Sequence, residues 1–224
     1  MLMPGCLSAC ALLALCAIAV AAPSCPGAAS PAELTVRPVY GTITYRMGNT
    51  RGDLKRMQER HADTNRGLPG QWYPLGLTEA HFEMKLKTDV IVRSIAPRRY
   101  CAYPAAVELE LGYPTFTVWV DRRYRRGTCE YQAILDHEHE HIGIYRDKLY
   151  LHVDSLRGQI ARVIRRFRPI VVTSPQEAAG RVQTQISRKI RPLVDKFHRI
   201  ADSANAKIDT PSSYRIIHSL CRNW

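Results

Sequence analysis

Apolar and polar residues alternate along the first half of the chain, which is the pattern of β-strands with one buried face. The alternation covers residues 39–46 and returns over 81–95. Two further β-type segments follow at 107–111 and 115–120, and the Gly, Tyr and Pro at 112–114 predict a turn between them. This half of the chain therefore predicts a small sheet of antiparallel strands.

Helical periodicity replaces the alternation after Glu130. Apolar residues recur at spacings of three and four from Leu149 to Phe167, and no proline follows Glu130 before Pro169. A second stripe runs from Val182 to Ile208 behind a helix-start signal at 174–177, where Ser is the N-cap, Pro opens the helix and Glu completes a capping box. Two long helices joined by a short turn pack antiparallel, so this half predicts a helical hairpin.

The N-terminus carries an uncharged apolar run over residues 7–22. Its length is that of a signal-peptide core and is short for a membrane span. We expect a removable signal peptide over 1–22, with a retained N-terminal anchor as the alternative. The protein is then exported, either to a periplasm or out of the cell.

Export predicts that the cysteine residues form disulfides, because disulfides form in oxidising compartments. Removal of the signal leaves Cys25, Cys101, Cys129 and Cys221, an even number. Cys101 and Cys129 bracket a strand-like stretch and are the preferred pair. Cys25 and Cys221 would then join the two ends of the chain.

One sequence motif is typical of a catalytic metal site. Residues 137–141 read His-Glu-His-Glu-His and contain the pattern HExxH. On a helix, His137 and His141 lie on one face about 6 Å apart along the axis, so both imidazoles can bind one Zn²⁺. Glu138 lies beside them and can act as general base on a water that the zinc activates. His139 points to the other side of the helix and cannot share this metal.

Catalytic zinc takes three protein ligands, and the third is left open by the sequence. Asp147 ranks first because it follows His141 at the spacing of a third ligand in metzincin-like motifs. His152 and Glu177 are the alternatives. Glu177 already has a role in the helix cap, and His152 is too far along a straight helix.

The stretch from residue 39 to 168 resembles a bacterial family of predicted secreted zinc-dependent proteases, whose members are largely of unknown function. Three features carry the resemblance: the segment Tyr45–Arg51, the β-rich middle with Cys101, and the helix start Leu135–Ile142 with its HExxH motif. The resemblance implies a zincin-like peptidase with His137 and His141 as ligands and Glu138 as base. It implies no particular substrate.

The motif helix completes the predicted architecture. The fold class is α+β: a small antiparallel sheet with a zincin-like HExxH helix, followed by a long antiparallel helical hairpin. The predicted units are a signal peptide at 1–22, a linker at 23–34, a zincin-like catalytic unit at 35–155, a basic helical hairpin at 156–210 and a C-terminal tail at 211–224.

Charge is distributed unevenly along the 224 residues, whose formal net charge is +12. Residues 157–199 carry eleven Arg and Lys against Glu177 and Asp195, a net charge of +9. The excess therefore belongs to the predicted hairpin and not to the predicted catalytic unit. Such a surface suits an anionic membrane or a glycan.

These observations predict an exported zinc metallopeptidase that hydrolyses a peptide or protein substrate. We expect the strand at 115–120 to form the sheet edge along which the substrate lies. The alternative is a non-catalytic envelope protein that binds anionic lipid, a glycan or a protein partner through its basic hairpin. Export argues against a nucleic-acid partner, and the oligomeric state is left open.

Overall fold

The structure, a computed structural model, describes residues 25–27, 30–60 and 73–224. The predicted signal peptide at 1–22 lies outside these residues. The elements in chain order are β1 (Glu33–Arg46), α1 (Arg51–Arg60), β2 (Gly76–Ala96), β3 (Arg99–Val120), α2 (Cys129–Arg165), β4 (Ile170–Val172), a 3-10 turn (Pro175–Glu177), α3 (Ala178–Asn205) and α4 (Pro211–Ser219). The protein therefore has a mixed α and β architecture with one small sheet, as predicted.

The sheet is organised around β3, which pairs with β1 on one side and with β2 on the other, while β4 adds to the start of β3. β2 and β4 run antiparallel to β3, but β1 runs parallel to it. The prediction of a wholly antiparallel sheet is therefore wrong. An alternating pattern shows which face of a strand is buried and carries no information on strand direction. The chain reverses direction once between β1 and β2 and again between β2 and β3, so that β3 runs in the same direction as β1.

The segment 107–120 forms one continuous strand, and the turn predicted at 112–114 is wrong. Gly112 has a φ of 143° and lies so close to β1 that a Cβ atom there would come within 2.3 Å of the Val39 carbonyl oxygen. The glycine therefore serves a close approach of two strands. The expectation that 115–120 lies at a sheet edge is also wrong, because these residues pair with both β1 and β2.

Both long helices pack against the sheet and against each other. Apolar stripes of α2 and α3 meet apolar side chains of the strands in one main core, which includes Leu109, Leu111, Phe116, Leu149, Ile160 and Ile186. The helix-start signal at 174–177 is confirmed, because the Glu177 carboxylate accepts hydrogen bonds from the backbone N–H groups of Thr173 and Ser174. The connection between the helices is longer than the predicted short turn and contains β4.

Two disulfides join the four cysteines of the described residues, as Cys25–Cys101 and Cys129–Cys221. The predicted pair of Cys101 with Cys129 is wrong, and so is the pair of Cys25 with Cys221. Cys101 lies near the start of β3 and Cys129 beyond its end. At about 3.3 Å per residue this long strand holds the two cysteines far apart. The disulfides point to an oxidising compartment. Among the described residues, no helix is both long enough and apolar enough to cross a membrane.

Candidate metal centre

The two outer histidines of the motif lie one turn apart on α2, and both are buried. The helix begins well before them, where the Thr128 hydroxyl caps it by accepting a hydrogen bond from the backbone N–H of Tyr131 at 3.2 Å. Three turns of regular helix around the motif therefore fix the spacing of His137 and His141. Their rings come within 4.8 Å of each other, centroid to centroid.

Asp209 supplies the third group at this point. Its Oδ1 atom lies 3.1 Å from Nε2 of His137 and 3.3 Å from Nε2 of His141. The ligand atoms of all three residues lie within 4.8 Å of one another. Ligands at the usual zinc distances sit about 3.3 Å apart around a tetrahedral ion. The three residues could therefore hold a metal ion.

The position of Asp209 is fixed by the short segment between α3 and α4. Thr210 follows it and caps α4, because its hydroxyl accepts a hydrogen bond from the Ser213 backbone N–H at 3.2 Å. The Tyr214 hydroxyl in the first turn of α4 donates to Oδ1 of Asp209 at 3.3 Å. A helix start and a tyrosine thus present the carboxylate to the histidines.

A second polar residue orients His141. Nδ1 of His141 lies 2.9 Å from Oδ1 of Asn205, whose Nδ2 atom donates to the Ala201 carbonyl at 3.2 Å. Because an amide oxygen only accepts hydrogen bonds, Nδ1 of His141 is the donor in this contact, and Nε2 faces Asp209. Such an outer hydrogen bond is the usual support of a metal-binding histidine.

Charge coupling within the group is strong. Burial lowers the pKa of His141, but the hydrogen bond to Asp209 and the charges of Glu138 and Asp209 outweigh it and raise this pKa to about 9. Burial raises the pKa of Asp209, but the hydrogen bonds from His137 and His141 outweigh this effect and hold the pKa below its ordinary range. Asp209 is therefore a carboxylate at neutral pH, as a metal ligand must be.

Glu138 lies beside the histidines and is buried against the start of β2. The Thr78 hydroxyl donates to Oε2 of Glu138 at 2.8 Å. Burial raises the pKa of this carboxyl group above its ordinary value. The close contact requires a glycine on the strand, because a Cβ atom at Gly76 would lie 2.5 Å from Oε1 of Glu138. The strand thus holds the carboxylate in one place.

The structure brings none of the three predicted third ligands into this group. Asp147 is exposed on α2. Nδ1 of His152 lies 2.9 Å from the Lys148 carbonyl oxygen, and Glu177 caps the start of α3. His139 faces away from the group, with its Nε2 atom 2.8 Å from the Tyr45 hydroxyl. In the structure the carboxylate beside the two histidines is that of Asp209.

A cleft of about 1230 Å³ opens onto the group. The first strand residues of β2 form one wall, α2 contributes Glu138, His141 and Tyr145, and the last turns of α3 form the opposite wall together with Asp209 and Tyr214. A candidate base and a candidate metal centre are therefore accessible from one depression of substantial size.

Comparisons of the chain with protein-family models, with curated proteins and with solved structures find no match.

Proposed function

We propose that this protein is an exported zinc metallopeptidase with a zincin-like active site. One observation carries the proposal: His137, His141 and Asp209 converge on one point at the edge of a large cleft, and Glu138 lies beside them. Two imidazoles and a carboxylate are a donor set that zinc accepts in catalytic sites, with a fourth position left for water or substrate. Zinc bound there would polarise the peptide carbonyl and acidify a water molecule.

Glu138 carries the proton transfers in this proposal. Its carboxylate takes a proton from the water whose oxygen forms the new bond to the carbonyl carbon. It then delivers a proton to the amide nitrogen as the C–N bond breaks, so that one acid and one amine are released. A pKa raised by burial suits a group that must both accept and return a proton. The hydrogen bond from Thr78 keeps the carboxylate turned towards the cleft.

The start of β2 is the proposed binding edge for an extended substrate. Residues Gly76–Ala80 line the cleft and pair, among the described residues, with β3 alone. An open strand edge offers backbone N–H and C=O groups to a peptide that adds as a further strand. The same residues contact Glu138, so a peptide on this edge would pass the proposed base.

The replacement of Glu138 by Gln tests the mechanism. We expect Glu138→Gln to retain one zinc per chain after dialysis at neutral pH and to lose at least about a thousandfold in peptide hydrolysis, because the amide cannot accept the proton. Zinc content is measured by elemental analysis and hydrolysis with a mixture of denatured proteins, read by mass spectrometry. Glu140→Gln is the matched control, since Glu140 is exposed on the same helix. Peptide hydrolysis by Glu138→Gln at the wild-type rate would contradict the proposed mechanism.

A second candidate function depends on the basic helices. His141 contacts Asn205 and Tyr145 contacts Asp202, so these parts of α2 and α3 lie side by side. Residues 157–199 of this pair carry the net charge of +9, with many exposed Arg side chains. A non-catalytic envelope protein would use this surface on anionic lipid or glycan. A purified protein without zinc, which binds anionic vesicles, would favour that candidate.

A further inference from the structure

The cleft differs in charge from the rest of the molecule. Among the described residues, five acidic side chains line it, but only two Lys or Arg side chains do. The acidic residues are Glu59, Glu79, Glu138, Asp202 and Asp209, and the basic ones are Arg60 and Arg199. Glu138 and Asp209 belong to the proposed catalytic centre, which leaves three acidic residues against the two basic ones in the remainder of the cleft. A recessed surface with this excess attracts a cationic ligand.

Asp202, one of these three acidic residues, is held by two neighbouring side chains. Its Oδ1 atom accepts a hydrogen bond from the Tyr145 hydroxyl at 3.0 Å, and Oδ2 lies 3.3 Å from Nδ1 of His198. The side chain is about one-fifth exposed, and it lines the cleft with both of its partners. Each carboxylate oxygen can accept more than one hydrogen bond. Asp202 therefore has acceptor capacity for a ligand, and its orientation is fixed.

Aromatic rings of the main core pack against the two side chains that hold this carboxylate. The Tyr145 ring lies 4.8 Å from the Tyr113 ring, and the His198 ring lies 4.9 Å from Phe82, measured between centroids. The Tyr113 hydroxyl is buried and lacks a hydrogen-bond partner among the described residues. The Tyr145 and His198 rings line the cleft beside the carboxylate, and such a pairing suits the long apolar stem and the charged head of Lys or Arg.

The distance from the candidate metal centre fits a position next to the scissile bond. Tyr145 follows His141 on the same face of α2, about 6 Å further along the helix axis. An extended peptide covers about 3.3 Å per residue. A substrate side chain in contact with Tyr145 and Asp202 therefore belongs to a residue about two positions from the bond that is cleaved.

We propose that Asp202, held by Tyr145 and His198, forms a subsite that binds a Lys or Arg side chain of the peptide substrate. This inference rests on the proposed peptidase function and names its substrate class. Asp202 contributes the negative charge, and the two rings hold that charge in place and cover the stem of the substrate side chain. Asp202 acts in substrate recognition and takes no part in proton transfer.

Binding and cleavage are measured separately to test the subsite. The binding probes are two fluorescein-labelled lysine-containing peptides of identical sequence, one with free and one with acetylated lysines, offered to the zinc-loaded Glu138→Gln protein. We expect the free form to bind at least about tenfold more tightly, and Asp202→Asn in the same background to remove that difference, because a hydrogen bond to a charged group is lost. Asp195→Asn is the matched control, since it removes the same charge from α3 outside this cleft.

Cleavage distinguishes this inference from the proposed function. The wild-type protein is incubated with a mixture of denatured proteins, and mass spectrometry locates the cleaved bonds. We expect Lys and Arg to be enriched within two residues of these bonds, and Asp202→Asn to abolish the enrichment while hydrolysis continues at other sites. Cleavage without this preference, or a preference that survives in Asp202→Asn, would overturn the subsite and leave the peptidase standing. A zinc-loaded wild type that cleaves nothing would overturn the peptidase itself.

Discussion

Asp209 shows how much a single residue can depend on the tertiary fold. It lies 72 residues beyond His137 and comes close to the two histidines because α3 returns along α2 and α4 begins directly after Thr210. The one local sequence signal near Asp209 is Asp-Thr-Pro, in which Thr210 and Pro211 are typical of the first residues of a helix. That signal predicts a helix and no ligand.

The replacement of Asp209 by Asn tests the third ligand. Asn preserves the shape of the side chain but removes the charge, so we expect the dissociation constant for zinc to rise at least about a hundredfold. Changes that only touch the outer hydrogen bonds of zinc ligands already cost about 10–100-fold. Competition with a chromophoric chelator measures the constant. Asp147→Asn is the control, and an equal loss in both variants would contradict the role of Asp209.

Gly76 is a second position where the fold depends on one residue, because there is no room for a Cβ atom there. An added Cβ would lie 2.5 Å from Oε1 of Glu138 and 2.7 Å from the Ile134 side chain, so Gly76→Ala must displace one of them. We expect the free energy of unfolding to fall by about 1–3 kcal/mol and peptide hydrolysis to fall with it. Urea unfolding of the zinc-free protein measures the first quantity.

Gly143 supplies the control for that experiment. It lies within α2, and a Cβ there meets nothing within 4 Å. Gly143→Ala should raise the free energy of unfolding by up to about 1 kcal/mol, because alanine is the better helix former. Equal behaviour of the two alanine variants would show that the contact between β2 and Glu138 has no energetic weight.

The elements were predictable to the extent that their signals are local. α2 follows from its apolar stripe and from the absence of proline, and its spacing places two of the three metal-binding candidates and the base. The start of α3 follows from the capping residues at 174–177. The direction of β1, the strand β4 and the continuity of β3 through Gly112 depend on contacts with distant residues, which no local pattern contains.

The cap of α2 offers a test at this scale. Thr128→Ala removes the hydroxyl that accepts from the Tyr131 backbone N–H, and we expect the free energy of unfolding to fall by about 1 kcal/mol. The zinc stoichiometry should stay unchanged, because the motif lies two turns further along the helix. Thr184→Ala in the middle of α3 is the control, with a change of less than about 0.5 kcal/mol. Thermal and urea unfolding give both values.

At the scale of the whole molecule, two disulfides stabilise different parts of the fold. Cys25–Cys101 ties the start of the described chain to the sheet, whereas Cys129–Cys221 ties the segment beyond α4 to the first residue of α2. The second tether is reinforced by a hydrogen bond from the Asn223 backbone N–H to the Glu130 carboxylate at 3.0 Å. The pairing could not be predicted from spacing, since four cysteines allow three connectivities.

Removal of each disulfide should have different consequences. Replacing Cys129 and Cys221 with Ser should lower the free energy of unfolding by about 2–5 kcal/mol and also weaken zinc binding, because the segment that carries Asp209 loses its tether. Replacing Cys25 and Cys101 with Ser should lower stability in the same range and leave the zinc dissociation constant unchanged. Unfolding and chelator competition are measured on both double variants. Equal zinc affinities in the two would contradict the role of the tether.

The tether between Cys129 and Cys221 also sets an order of events during biosynthesis. A nascent chain that has just emerged with the HExxH helix holds two histidines and a carboxylate base but lacks Asp209. The proposed third ligand is made later, and its segment is tethered to α2 only when an oxidising compartment joins Cys221 to Cys129. On the proposed function, the peptidase is therefore inactive while it is synthesised, and it becomes active where its substrates are, outside the reducing cytosol.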